Sequence, residues 1–132
     1  SAYLDKIIRN KPQKSPVLRA LGRHDDPTSH ISFAEFVNYV CDHPAHTLDP
    51  HWSIQAHQVF AGQINYDFIG RFENFETDFH SILEELHIDK SYFQSAISHK
   101  TESVNVQSDL ITPALRQKIE TAFHLDYEMF GY

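Results

Sequence analysis

Apolar residues recur at helical spacing in four stretches of the chain and cluster as a short continuous run in one more. At the start, Tyr3, Leu4, Ile7 and Ile8 share one helical face with no capping residue before them, so the chain is expected to begin inside a helix. Residues 10 to 31 place Asn10, Pro12, Pro16, Gly22 and Pro27 among charged side chains, a composition that predicts a long loop, either a surface excursion or the wall of a site. Ser32 followed by Glu35 is a capping-box pattern, and Phe33, Phe36, Val37 and Val40 then line one face, which predicts a helix over 33 to 41. Residues 42 to 58 read as irregular, and Tyr66-Asp67-Phe68-Ile69, ending at Gly70, is the best candidate strand. Asn74 is placed to cap a helix whose stripe is Phe75, Phe79, Ile82, Leu83 and Leu86. Polar, serine-rich residues 89 to 109 read as loop, with a weak strand signal near Val104. Thr112 with Pro113 then opens a helix in which Leu115, Ile119, Ala122, Phe123 and Phe130 face one way as far as Gly131.

A lone strand followed by a helix and flanked by more helices suggests an α/β sheet whose other strands lie elsewhere, because one strand cannot satisfy its own backbone groups. The fold class expected is therefore α/β, mostly helical within these 132 residues, with one or two strands. A chain of this length buries roughly two-thirds of its unfolded surface, enough for one small core.

Charge removes one class of function. Eighteen acidic residues against eleven basic ones give a formal net charge of −7, which is no electrostatic footprint for nucleic acid. No apolar run reaches the ~18 residues of a membrane span, and the opening residues resemble neither a signal peptide nor a basic leader. Membrane association is not encoded in this segment. The single cysteine, Cys41, cannot form an intrachain disulfide, which fits a reducing compartment.

Two constellations could carry chemistry. The first is Asp49-Pro50-His51-Trp52 with Gln55 beyond it. An imidazole beside an indole suits a general base, since its ordinary pKa lies near neutrality; equally, Trp52 can be a core anchor and His51 a hydrogen-bonded neighbour. The second is Tyr66 to Asn74, a strand running through Gly70 towards a helix start. Ligands sit at the carboxyl ends of strands in α/β sheets, so Arg71 and Glu73 would lie near a site there, or Arg71 would pair with an acid. His43, His46, His51 and His57 crowd into fifteen residues but lack HxxxH or HExxH spacing, so no metal site is expected.

The order of several segments resembles the carbohydrate sulfotransferases related to chondroitin, dermatan and HNK-1 sulfotransferases, with their bacterial relatives. The segments are Ser1-Ala2-Tyr3-Leu4-Asp5-Lys6, Asp49-Pro50-His51-Trp52, Ile64 through Glu73, and Asp126-Tyr127-Glu128-Met129-Phe130-Gly131-Tyr132. The resemblance implies a P-loop-like domain of which residues 1–132 are the C-terminal portion, with the donor-binding N-terminal half missing. It implies transfer of a sulfuryl group from 3′-phosphoadenylyl sulfate to a hydroxyl of a carbohydrate acceptor, without a metal. Ser1 would match the serine of the family's 3′-phosphate motif, His51 would be the base or acceptor-positioning residue, and Arg71 a further donor contact. The paired cysteines expected of Golgi members would fall near Val59 and Gly62, where there are none. That difference favours a cytoplasmic, bacterial-type relative, with the Golgi lumen as the alternative. Two other readings stay open: a catalytically silent scaffold or interaction module of the same fold, and a histidine-rich metal-binding module that would use His43 and His46.

Overall fold

A computed structural model describes residues 2–9, 11–24, 26, 28–89, 91 and 110–131. After a wide helical turn at Tyr3–Ile8 come α1 (Lys14–Ala20), α2 (Phe33–Asp42), α3 (Gln55–Gln58), α4 (Phe75–Glu85), α5 (Pro113–Ala122) and α6 (His124–Phe130). The chain forms two compact units, Ser1–Ile64 with Glu102–Tyr132, and Asn65–Thr101.

The core of the first unit gathers Tyr3, Ile7, Val17, Leu18, Ile31, Phe36, Val40 and Trp52. The opening helical turn contributes Tyr3 and Ile7, as its periodicity predicts, while Ile8 is half exposed. Tyr3 stands edge-on to Phe33 at 5.3 Å between ring centroids, and its hydroxyl donates to the Ile31 carbonyl at 2.8 Å. That bond satisfies the polar end of a buried ring, and burial pushes the Tyr3 phenol pKa up.

The loop expected over residues 10 to 31 contains a helix instead, α1. Pro16 falls in its first turn, where a missing N–H costs nothing because those donors have no partner within the helix. Val17 and Leu18 are fully buried, each worth about 1.5–3 kcal/mol against exposure. Tertiary burial thus outweighs the loop-forming composition. The helix ends through Gly22 at φ +69°, with Gly22 N–H on the Arg19 carbonyl at 3.0 Å and Arg23 N–H on the Leu18 carbonyl at 2.9 Å. This is the Schellman arrangement, which favours glycine at the left-handed position.

The capping box forms as expected at the start of α2. Ser32 Oγ accepts from Glu35 N–H at 3.2 Å, and Glu35 Oε2 accepts from Ser32 N–H at 2.8 Å. Arg23 adds a tie by pairing with Glu35 and donating to the His30 carbonyl at 2.6 Å. Thr112 caps α5 through Leu115 N–H, and Lys118 reaches from α5 to Asn38 and Asp42 of α2, both at 2.8 Å. The C-terminal helix is not continuous to Gly131: it breaks at Phe123, whose φ of −106° and ψ of 20° separate α5 from α6. Phe123 packs against the core, and Gly131 ends α6 in the left-handed region.

The expected strand over Tyr66–Ile69 does not form, and no strand occurs among the described residues beyond one isolated bridge between Ala61 and Ile64. A strand needs a partner at ladder distance, and the described residues offer none there. The expectation of a mostly helical stretch holds for the described residues, while the one or two strands expected within it do not appear among them. The weak strand signal near Val104 lies outside the described residues.

In the second unit α4 forms as predicted, but Asn74 makes no side-chain cap; a short 3-10 turn at Phe72–Asn74 leads in instead. Of the α4 stripe, Leu83 is buried, Phe75 stacks on Phe79 at 5.5 Å, and Phe75 and Leu86 remain half exposed or more. Tyr66, Phe68, Ile69 and Phe72 are likewise exposed, Phe72 at 73%.

Candidate active site

The Asp49–Trp52 segment is a tight turn, closed by Trp52 N–H on the Asp49 carbonyl at 3.0 Å. Trp52 drives its indole into the core and meets Phe36 edge-to-face, with centroids 5.3 Å apart and planes at 87°. That burial pins the turn from below, as the structural reading of Trp52 anticipates.

His51, one residue earlier, has its side chain 46% exposed. Asp49 Oδ1 lies 2.5 Å from His51 Nδ1 and also accepts from the His51 backbone N–H at 2.9 Å. Burial pushes the Asp49 carboxyl up in pKa, but the two His51 bonds and the positive charges of His51 and Lys6 outweigh it and hold the group below the usual carboxylate range. An ionised carboxylate only accepts hydrogen bonds, so Nδ1 must carry the proton. The Nε2 of a neutral His51 ring is then its basic nitrogen. This is the orienting logic of a base held by a third group.

The turn is fixed from its far side as well. Gln58, at the end of α3, donates through Nε2 to the Pro50 carbonyl at 2.8 Å and to Ser53 Oγ at 3.0 Å. The start of α3 is held by Asp126, a buried residue of α6, whose Oδ2 and Oδ1 accept from the Gln55 and Ala56 backbone N–H groups at 3.0 and 2.7 Å. Beside this loop runs an open groove of about 410 Å³ lined by Ala45, His46, Leu48, Ser53, His57 and Gln58.

The sequence pattern points to His51 but assigns no role to Asp49 or Asp126. An acid two residues before the histidine was the available signal for Asp49. Asp126 had no local signal, because its partners lie 70 and 71 residues away in sequence.

The family model described as "Sulfotransferase family" matches residues 1–132. The chain belongs to the sulfotransferase family. Among curated proteins it is 32% identical to carbohydrate sulfotransferase 9 of Homo sapiens over 113 residues, which cover 79% of this chain and 26% of that protein. It is 30% identical to carbohydrate sulfotransferase 12 of Mus musculus over 109 residues, 77% of this chain and 26% of that protein. Carbohydrate sulfotransferase 8 of Mus musculus is 28% identical over 113 residues, 79% of this chain and 27% of that protein. The chain thus spans about a quarter of the length of these relatives. No solved structure gives a significant match.

These relatives correct the expectation of a cytoplasmic, bacterial-type protein, since they are carbohydrate sulfotransferases of human and mouse. A single unpaired thiol is compatible with either redox compartment, so Cys41 does not carry that inference.

The other expected site residues fall differently. Ser1 lies outside the described residues. Arg71 belongs to the second unit, where its backbone N–H donates to Asp78 Oδ2 at 2.7 Å. Gly70 approaches Asp78 so closely that a Cβ there would sit 3.3 Å from its side chain. With no strand formed, Arg71 loses the strand-end position on which its sequence assignment rested. His43 is engaged locally, its Nδ1 at 2.7 Å from the Tyr39 carbonyl and its ring 4.3 Å from that of Tyr39. Among the described residues no three His, Cys, Asp or Glu side chains converge as a metal cage requires.

Proposed function

We propose that this chain is the acceptor-side, C-terminal portion of a carbohydrate sulfotransferase domain with a P-loop-like donor-binding part upstream. The observation that carries the reading is the Asp49–His51 pair at 2.5 Å on a half-exposed loop of a sulfotransferase-family chain. His51 Nε2 is the base for the acceptor hydroxyl. As that oxygen bonds to sulfur, its proton passes to Nε2, and the sulfur–oxygen bond to the donor's phosphate breaks. Asp49 stabilises the imidazolium that results, which a lone histidine would have to form unaided.

The donor is 3′-phosphoadenylyl sulfate, which as substrate supplies the sulfuryl group. Its phosphates need several cations or a nest of backbone N–H groups. Lys6, whose charge acts on Asp49, is one cation near the dyad, and Ser1 and Arg71 are further donor contacts in this proposal. The remaining grip belongs to the upstream part. The exposed apolar residues Tyr66, Phe68, Ile69 and Phe72 support this, since such a row normally meets another surface. The acceptor is a carbohydrate, and the groove lined by Leu48 and Ser53 on either side of the Asp49–Trp52 turn, with His57 and Gln58 also on its walls, offers groups that suit sugar hydroxyls.

In the full-length protein, His51→Ala is expected to lower kcat by about 100-fold or more while donor Kd stays near wild type. Arg71→Ala is expected to weaken the donor Kd and leave the pH profile unchanged. Unchanged turnover in His51→Ala would remove it from the reaction, and unchanged donor affinity in Arg71→Ala would remove that contact.

A further inference from the structure

The buried carboxylate of Asp126 sits on α6, yet both its oxygens are spent on backbone amides at the start of α3. α3 is a single turn of four residues, too short to hold its shape unaided. Ile54, at its N-cap position, makes no side-chain cap. Asp126 supplies what the local sequence does not, capping from another helix the amides that would otherwise lie unpaired.

The path from there to His51 is continuous. Asp126 holds Gln55 and Ala56; α3 carries Gln58 from its start to its end; Gln58 ties Pro50 and Ser53, on either side of His51 and Trp52. We infer that Asp126 is a positioning residue for His51, setting the ring through α3 and Gln58 so that Nδ1 stays on Asp49 and Nε2 keeps a constant place. The inference rests on His51 as the base for its consequence in turnover, but not for its consequence in ring geometry.

Two measurements on the full-length protein separate these. The first is steady-state kinetics of Asp126→Ala, Asp126→Asn, Gln58→Ala and the Asp126→Ala/Gln58→Ala double variant. Misplacing a reacting group by about 1 Å costs on the order of 100-fold, so Asp126→Ala is expected to lose about tenfold to 100-fold in kcat with donor KM little changed. Asp126→Asn keeps one acceptor and is expected to fall between wild type and Ala. The double variant is expected to be no worse than Asp126→Ala, because both residues act through one loop.

The second is the nitrogen NMR signature of the His51 ring, which reads the tautomer without any turnover. Wild type is expected to show protonated Nδ1, and Asp126→Ala and Gln58→Ala to lose that preference. Wild-type kcat in folded Asp126→Ala, additive losses in the double variant, or an unchanged tautomer would each overturn the positioning role. Should Asp126→Ala not fold, Asp126→Asn and the exposed Gln58→Ala decide by the same readouts. If His51→Ala retains turnover, the base assignment falls and the tautomer alone decides the positioning.

Discussion

Replacing Trp52 tests whether the loop bearing His51 is anchored in the core. Only 7% of the residue is exposed, and its indole packs edge-to-face with Phe36. An aromatic side chain of this size removes about 200 Å² from water, which at about 25 cal/mol per Å² is about 5 kcal/mol. Residual compactness of the unfolded chain lowers that figure, and the cavity left behind raises it. Trp52→Ala is therefore expected to cost about 3–5 kcal/mol, and Trp52→Phe, which keeps the aromatic contact, about 1–2 kcal/mol. Domains of this size hold about 7–20 kcal/mol in all, so the alanine variant remains measurable. The assay is denaturant unfolding followed by far-ultraviolet circular dichroism. Trp52 is the only tryptophan, so wild-type fluorescence gives an independent check and should be blue-shifted when folded. A loss below about 1 kcal/mol in Trp52→Ala, or native emission as red as that of free tryptophan in water, would refute the anchoring argument.

Two further outcomes follow from local geometry. Gly22→Ala should cost about 1 kcal/mol by denaturant unfolding; nothing lies within 4 Å of the added Cβ, so the loss isolates the φ of +69°, and an unchanged midpoint would count against the Schellman ending. Acid should also weaken the fold through Asp49 and Glu35, the latter held below its ordinary pKa first by the Ser32 backbone N–H and then by the Ser32 side chain and Arg23. A carboxyl depressed on folding stabilises above its unfolded pKa and gives that up as pH falls through its folded value. Stability is therefore expected to be flat near neutrality and to fall on the acid side of the usual carboxylate range. Acid titration of Asp49→Asn should show a shallower fall, and an identical curve would contradict the assignment.

What could be read in advance was local. The capping pairs Ser32 with Glu35 and Thr112 with Leu115 span three residues each, and the stripes of α2 and α4 follow one helical period. Such features depend on neighbours along the chain. The Pro-rich stretch has loop composition yet folds as α1, because Val17 and Leu18 gain their value only from the core that Tyr3, Ile31 and Phe36 build around them. Tyr66–Ile69 has strand composition but no partner strand among the described residues, and pairing is a property of two segments.

The candidate site divides along the same line. The types and spacing of Asp49, His51 and Trp52 stand in the sequence as a loop with base chemistry. The tautomer of His51 and the capping of α3 by Asp126 were decided only by the folded chain. Backbone amides of one turn meet a carboxylate some 70 residues further on because helix packing brings them together, and a contact of that range leaves no periodicity or spacing from which it could be foreseen.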